Sequence, residues 1–140
     1  ISDQDGLHLP FNISSNDGES SSLLPFGLHS ELYRDIVYEK SIPVITKRLD
    51  TLLNDDLSID VSDYNFLNID LQGMELPALK SLGTLLWRIR YAYVEINKAE
   101  VYSGCALLPE LDSHLAKFGF VRKQVAWAVD DIWGDAFYMR

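Results

Sequence analysis

Short apolar segments alternate with helix-like segments from residue 66 onward, and this alternation limits the possible folds more than any other feature of the sequence. Residues 66–71 and 91–96 are mostly apolar runs with the length and composition of buried strands. Residues 75–86 and 107–118 carry leucines at the spacing of one helix face. Strands that alternate with helices predict an α/β fold with a parallel sheet and right-handed crossovers.

The end of the chain predicts two further strands. Residues 120–129 and 136–139 have strand composition, and residues 130–135 join them as a turn. Because so short a connection suits neighbouring antiparallel strands, we expect the last strand to run antiparallel to the rest of the sheet.

The first part of the chain predicts a β-hairpin with a long Ser-rich tip. Residues 7–12 alternate apolar and polar side chains, and Pro10 favours an edge position. Residues 35–46 predict the second strand, which we expect to break or end near Pro43. Residues 48–54 have leucines at helical spacing and predict a short helix.

The composition is that of an ordinary globular domain and excludes several classes of protein. The net charge of −9 argues against sequence-independent nucleic-acid binding, which needs a basic face. The single cysteine excludes a disulfide framework. No apolar run approaches the ~20 residues of a membrane span or resembles a signal peptide, so we expect a cytoplasmic protein. The length fits one domain over 1–140, with the hairpin excursion in residues 1–63 and the α/β core in residues 64–140.

Two acidic residues lie where open parallel sheets bind ligands, beyond the carboxyl ends of the strands. Asp70 is near the end of the first buried strand, and Glu95, followed by Asn97, is near the end of the next. Neighbouring parallel strands would bring both carboxylates to one rim, where either could orient a substrate or act as a general base. Each could equally cap a helix or pair with a Lys or Arg side chain.

The residues after Asp70 predict a strand-to-helix turn. Gly73 permits a positive φ or a close approach of backbone to a ligand, and Glu75 suits the first turn of a helix. The same turn needs no ligand to form. Trp133 either packs in the core or at a subunit contact, or lines the pocket from the turn before the last strand.

Other reactive side chains show no catalytic or metal-binding pattern. His8, His29 and His114 are scattered without ligand spacing, so no metal site is predicted. The serines at residues 20–22 have no histidine–aspartate partner pattern, which argues against a serine nucleophile. Cys105 has no CxxC context and is predicted to pack.

Several blocks in consistent order resemble the FkbM family of S-adenosylmethionine-dependent methyltransferases. The most specific block is residues 66–76, Phe-Leu-Asn-Ile-Asp-Leu-Gln-Gly-Met-Glu-Leu. Residues 93–97 resemble the family's next strand, and residues 133–138 resemble its closing element. Residues 1–6 resemble the segment that follows its third strand, so the resemblance covers nearly the whole chain.

The resemblance implies a Rossmann-like sheet of seven strands in the order 3-2-1-4-5-7-6, with strand 7 antiparallel. This chain would supply a partial sheet, strands 4-5-7-6, and the N-terminal hairpin excursion. The strands that carry the family's glycine-rich cofactor turn would be missing, and no GxGxxG or GxGxG motif occurs in the sequence. We therefore expect a truncated domain that is inactive alone.

The resemblance also implies a function and a site. The family transfers a methyl group from S-adenosylmethionine, usually to a hydroxyl oxygen of a sugar or other small molecule, and implies no metal. Asp70 and Glu95 would be catalytic, because either could orient or deprotonate the acceptor. The residues implied to bind the cofactor are Ser2, Asp3, Asp70, Gln72 and Gly73. The residues implied to contact the substrate are Glu75, Asn97 and Trp133.

Alternatives to an active methyltransferase remain open, and one partner is expected. The chain could be a non-catalytic fragment or interaction module of the same fold, or a hydrolase that uses Asp70 and Glu95 as a carboxylate pair. Without its first strands, the fold would leave the apolar backbone edge of residues 66–71 unpaired, which favours association. We therefore expect a homo-oligomer across that edge, an exchange of elements, or a cover formed by the chain's own hairpin.

Overall fold

The structure, a computed structural model, describes residues 1–55, 60–128 and 131–140. The described residues form a mixed α/β fold with a two-stranded and a four-stranded sheet. The strands are β1 (His8–Ser14), β2 (Tyr38–Ile45), β3 (Phe66–Ile69), β4 (Tyr91–Asn97), β5 (Val121–Ala128) and β6 (Trp133–Met139). The helices are α1 (His29–Leu32), α2 (Leu49–Asp55), α3 (Glu75–Ser81) and α4 (Leu108–Ala116), with 3₁₀ helices at Val61–Asp63 and Gly83–Arg88. No helix among these residues has the length and apolar character needed to cross a membrane.

Strands β1 and β2 pair antiparallel as the predicted hairpin, but the second strand does not end near Pro43. Pro43 lies directly opposite Pro10, and β2 continues to Ile45. Asn12, two residues after Pro10, directs its N–H away from β2 to the Ser22 carbonyl at 2.9 Å. Because N–H groups alternate in direction along a strand, the N–H that Pro10 lacks would also point away from β2. Proline at this position therefore removes no hydrogen bond between β1 and β2.

The four-stranded sheet has the order β3-β4-β6-β5, with β3 parallel to β4 and β6 antiparallel to both of its neighbours. This arrangement confirms a mixed α/β sheet whose last strand is antiparallel. The prediction that residues 130–135 form a turn was wrong for the last three of these residues. Residues 133–135 begin β6, because Trp133 and Asp135 pair with Asn97 and Glu95 of β4. Residues 129 and 130 lie outside the described part of the chain.

The single helix predicted over residues 75–86 is divided into α3 and a 3₁₀ helix. The division falls at Gly83, whose φ of +52° ends the α-helix. Leu79, Leu82 and Leu86 all remain buried in the main core. A leucine spacing of three and four residues therefore fits both types of turn, and the sequence pattern alone did not separate them.

Strand β3 is shorter than predicted and forms an edge of the sheet rather than a buried strand. Its partner is β4, and within the described residues no strand pairs with its other side. Phe66 is 53% exposed, whereas Ile69 is buried. The hairpin of β1 and β2 was one of the predicted covers for this edge. It forms a separate sheet and does not pair with β3.

The tip of the hairpin, residues 15–37, folds back over the carboxyl ends of β3 and β4. Phe26 bridges Tyr102, and the N–H of Gly27 donates to the Val101 carbonyl at 2.9 Å. The approach at Gly27 is so close that a Cβ there would lie 2.2 Å from the Glu100 carbonyl oxygen. This contact places the tip opposite the predicted site residues.

Candidate functional site

A cavity of about 540 Å³ lies between the hairpin tip and the carboxyl edge of the four-stranded sheet. One wall comes from the tip and consists of Asn16, Glu19, Ser20, His29, Tyr33 and Ile36. The other comes from the sheet and the loops that follow its strands, and consists of Asp70, Gln72, Glu95, Val101, Tyr102 and Trp133. Its volume is within the usual range of small-molecule sites.

The structure brings Asp70 and Glu95 together at one rim, as the parallel pairing of β3 and β4 requires. The carboxylate oxygens of Asp70, Glu75 and Glu95 all lie within 4.8 Å of one another. Asp70 is exposed, whereas Glu75 and Glu95 are buried. Among the described residues, this group has a spacing that could hold a cation; the catalytic and binding roles of its members stay predictions.

Glu75 lies beneath the cavity and holds the turn after β3 in place. Its side chain is 1% exposed, and its Oε1 accepts hydrogen bonds from the backbone N–H groups of Leu71 at 2.9 Å and Gly73 at 3.0 Å. These two bonds satisfy donors that the end of β3 would otherwise leave buried and unpaired. Glu75 therefore supports the rim from below and does not line the cavity.

Gln72 and Gly73 form the turn itself. Gln72 has a φ of +52°, and its side chain bridges two cavity residues by donating to Asp70 Oδ1 and accepting from the Tyr102 hydroxyl. Gly73 has a φ of +99°, and a Cβ there would lie 2.9 Å from both Leu24 Cδ1 and Tyr102 Cβ. Glycine is needed here for backbone conformation and for close packing.

The buried acids determine where protons reside. The pKa of Glu95 is raised to about 10. Burial is the main cause, and the nearby charges of Glu75 and Asp70 add to it. Burial also raises the pKa of Glu75, but its backbone hydrogen bonds oppose this effect because they stabilise the charged form. The proton of this pair is therefore held on Glu95 at neutral pH, where the protonated carboxyl can donate a hydrogen bond. The predicted catalytic role of Glu95 stays a prediction.

The tip contributes polar and aromatic side chains that sequence reasoning missed. His29 is 3% exposed, stacks on Phe26 at a ring distance of 4.0 Å, and has its Nε2 3.1 Å from Ser20 Oγ. Ser20 thus has a histidine partner that sequence spacing did not indicate. Burial lowers the pKa of His29, so the ring is neutral at neutral pH. Tyr33 closes this side of the cavity by accepting a hydrogen bond of 3.0 Å from Trp133 Nε1.

The other predicted site residues lie at different places. Trp133 lines the cavity, but Ser2, Asp3 and Asn97 do not. Ser2 is 4% exposed and its N–H donates to the Lys47 carbonyl at 3.0 Å. Asn97 is fully buried in β4, and neither polar atom of its amide has a hydrogen-bond partner.

These features define an α/β protein with an acidic cavity at the carboxyl edge of parallel strands, where such folds hold small molecules. The model of the methyltransferase FkbM domain matches residues 1–122. The chain belongs to the FkbM methyltransferase family, which indicates methyltransferase activity and a methyl-donor cofactor. The match covers both strands that end at the cavity and stops before β6. No curated protein and no solved structure matches the chain.

Proposed function

We propose that this chain forms part of an S-adenosylmethionine-dependent methyltransferase that methylates a hydroxyl oxygen of a small molecule in the cavity. One observation carries the proposal: the chain belongs to a methyltransferase family, and Asp70, Gln72 and Glu95 converge on a cavity at the carboxyl edge of β3 and β4. Among the described residues, no contact favours a non-catalytic role of the same fold.

We infer that β3, β4, β6 and β5 correspond to strands 4, 5, 7 and 6 of a seven-stranded methyltransferase sheet. Their spatial order and the antiparallel direction of β6 support this correspondence. The open side of β3 is then the side on which strand 1 pairs in the complete sheet. In such a sheet the donor binds beyond the carboxyl ends of the central strands, where Asp70 is exposed.

The donor set of the cavity fits a methyl donor with cationic groups. S-adenosylmethionine supplies an activated methyl group on a positively charged sulfur and also carries an ammonium. Asp70 offers an exposed carboxylate to these cations, and Gln72 offers an adjacent amide. The buried Oε2 of Glu95 has no hydrogen-bond partner. For Ser2 and Asp3 the cofactor-binding role rests on the family resemblance alone, which would place them near the adenine of the donor.

The side chains around the cavity have separate roles in holding the acceptor and accepting its proton. Asp70 orients the acceptor hydroxyl and accepts its proton, since its carboxylate faces the cavity. The chain of hydrogen bonds from Tyr102 through Gln72 fixes the position of Asp70. Glu95, which holds a proton at neutral pH, donates a hydrogen bond to a bound oxygen. Trp133 and Tyr33 pack against the acceptor and exclude water.

Calorimetric titration of S-adenosylhomocysteine into the full chain tests this proposal. We expect one binding site per chain, with affinity at least tenfold lower in Asp70→Asn. Asp63→Asn is the matched control, because Asp63 is exposed before the start of β3 and changes the net charge equally. The absence of heat at millimolar ligand, or equal affinity in wild type and Asp70→Asn, would contradict the proposed site.

A further inference from the structure

We propose that the cavity selects an acceptor that carries a positively charged amine in addition to the hydroxyl that is methylated. This inference rests on the proposed function, because it names the substrate class of the same site. It has three supports: the charge of the lining residues, the aromatic side chains among them, and an unpartnered buried carboxyl oxygen.

The cavity is acidic on both of its walls. Glu19 lies on the wall from the tip and Asp70 on the wall from the sheet, whereas the neighbouring Glu95 keeps its proton and adds no charge at neutral pH. Within the described part of the chain, the lining includes no lysine or arginine. Anionic acceptors such as phosphorylated or carboxylated compounds would therefore meet repulsion without a compensating cation, whereas a protonated amine would be attracted.

The aromatic side chains favour an organic cation over an inorganic one. Tyr33, Tyr102 and Trp133 line the cavity, and the hydrogen bond between Trp133 Nε1 and the Tyr33 hydroxyl joins the two walls. Aromatic faces attract ammonium groups, but they give no oxygen ligand to a hard metal ion. The volume of about 540 Å³ also exceeds what an ion alone would occupy.

Glu95 provides an independent indication of a ligand. Its side chain is 5% exposed, and its Oε2 is buried without a hydrogen-bond partner. A buried oxygen that accepts no hydrogen bond is unfavourable, so it marks a place where a bound ligand can supply the missing donor. A protonated carboxyl still has one oxygen that accepts hydrogen bonds, and an ammonium, with its three N–H donors, could donate to that oxygen of Glu95 and to the Asp70 carboxylate at the same time.

A matched trio of small phenols tests the inference by binding alone. Tyramine, 4-ethylphenol and 3-(4-hydroxyphenyl)propionate share a phenol ring and differ in charge from positive through neutral to negative. We expect NMR titration of the full chain to give at least tenfold tighter binding of tyramine than of 4-ethylphenol. The propionate should bind most weakly. The preference for tyramine should shrink several-fold in Asp70→Asn and in Glu19→Gln, and should persist in Asp63→Asn.

Several results would overturn the inference. They are equal binding of the three phenols, no detectable binding of any of them, or a preference that Asp63→Asn removes as fully as Asp70→Asn. Magnesium chloride is added in a separate arm; submillimolar Mg²⁺ binding that displaces tyramine would make the cavity a metal site instead. If S-adenosylhomocysteine binds but the three phenols bind equally, only the selectivity for an amine is rejected. If tyramine is preferred but S-adenosylhomocysteine does not bind, the proposed function is rejected.

Discussion

The carboxylates of Glu75 and Glu95 lie within 4.8 Å of each other although both side chains are almost completely buried. Two buried negative charges at this distance would repel strongly, so the fold retains a proton on Glu95. Glu75 uses its own oxygen to hold the turn after β3. The same pair therefore supports the rim of the cavity and gives the folded state a dependence on pH.

Glu95→Gln should change how stability depends on pH. The pKa of Glu95 is raised from 4.5 to about 10 in the folded state, so the folded state binds a proton that the unfolded state has lost. The wild type should consequently lose stability relative to Glu95→Gln as pH rises from about 5 to about 10, by at most about 1.4 kcal/mol per pH unit. Urea unfolding of both proteins at several pH values measures this difference. A difference that stays constant between pH 5 and pH 9 would show that Glu95 is ionised in the folded protein.

Glu75→Ala should destabilise the fold far more than Glu75→Gln. The alanine variant leaves the N–H groups of Leu71 and Gly73 without an acceptor, at an expected cost of roughly 2–5 kcal/mol in the free energy of unfolding. Glutamine keeps a carbonyl oxygen at the same position and removes the buried charge. Chemical denaturation of the two variants at pH 7 compares them. Equal losses would mean that the carboxylate charge, and not the accepted hydrogen bonds, supports the turn.

Gly73→Ala and Gly104→Ala separate backbone strain from crowding. Both glycines have a positive φ, +99° at Gly73 and +79° at Gly104, so each alanine should cost about 1 kcal/mol. A Cβ at Gly104 meets open space, whereas one at Gly73 lies 2.9 Å from Tyr102 Cβ. Gly73→Ala should therefore lose an additional amount of about 1–3 kcal/mol. Thermal unfolding gives the comparison, and equal melting temperatures for the two variants would refute the close packing at Gly73.

Association through the edge of β3 remains a prediction. Phe66 is 53% exposed on this edge strand, and a groove of about 300 Å³ lined mostly by apolar side chains, with Arg88 among the lining residues, lies beside it. Phe66→Asp should reduce self-association because it places like charges at the contact between copies. Val121→Asp is the control, since Val121 is 56% exposed on β5 at the opposite edge. Sedimentation equilibrium should show association in wild type and Val121→Asp but not in Phe66→Asp. A wild type that is monomeric at all concentrations would contradict the prediction.

Elements with a local pattern were predictable from the sequence. The alternation around Pro10, the apolar run of β4 and the leucine stripe of α4 each depend on neighbouring residues, and each element formed as expected. Errors arose where tertiary contacts decide the outcome. The start of β6 at Trp133 depends on pairing with β4, and the end of α3 depends on the φ of Gly83.

The candidate site was predictable in part for the same reason. Asp70 and Glu95 follow from strand ends, which the sequence places well. The tip wall could not be predicted, because His29 and Tyr33 reach the cavity only when the hairpin folds back to contact Tyr102. The apolar residues Leu24 and Phe26, which follow the Ser-rich run and pack against Tyr102, are the sequence signal from which this docking could have been inferred.

A crystal structure of the chain with S-adenosylhomocysteine would show whether the methyl donor binds between the hairpin tip and the sheet. We expect ligand density in the cavity between the hairpin tip and the sheet, within hydrogen-bond distance of Asp70 or Gln72. The ring of Trp133 or Tyr33 should border the space left for the acceptor. Ligand bound elsewhere on the chain, or an empty cavity in crystals grown at saturating ligand, would contradict the proposed donor site.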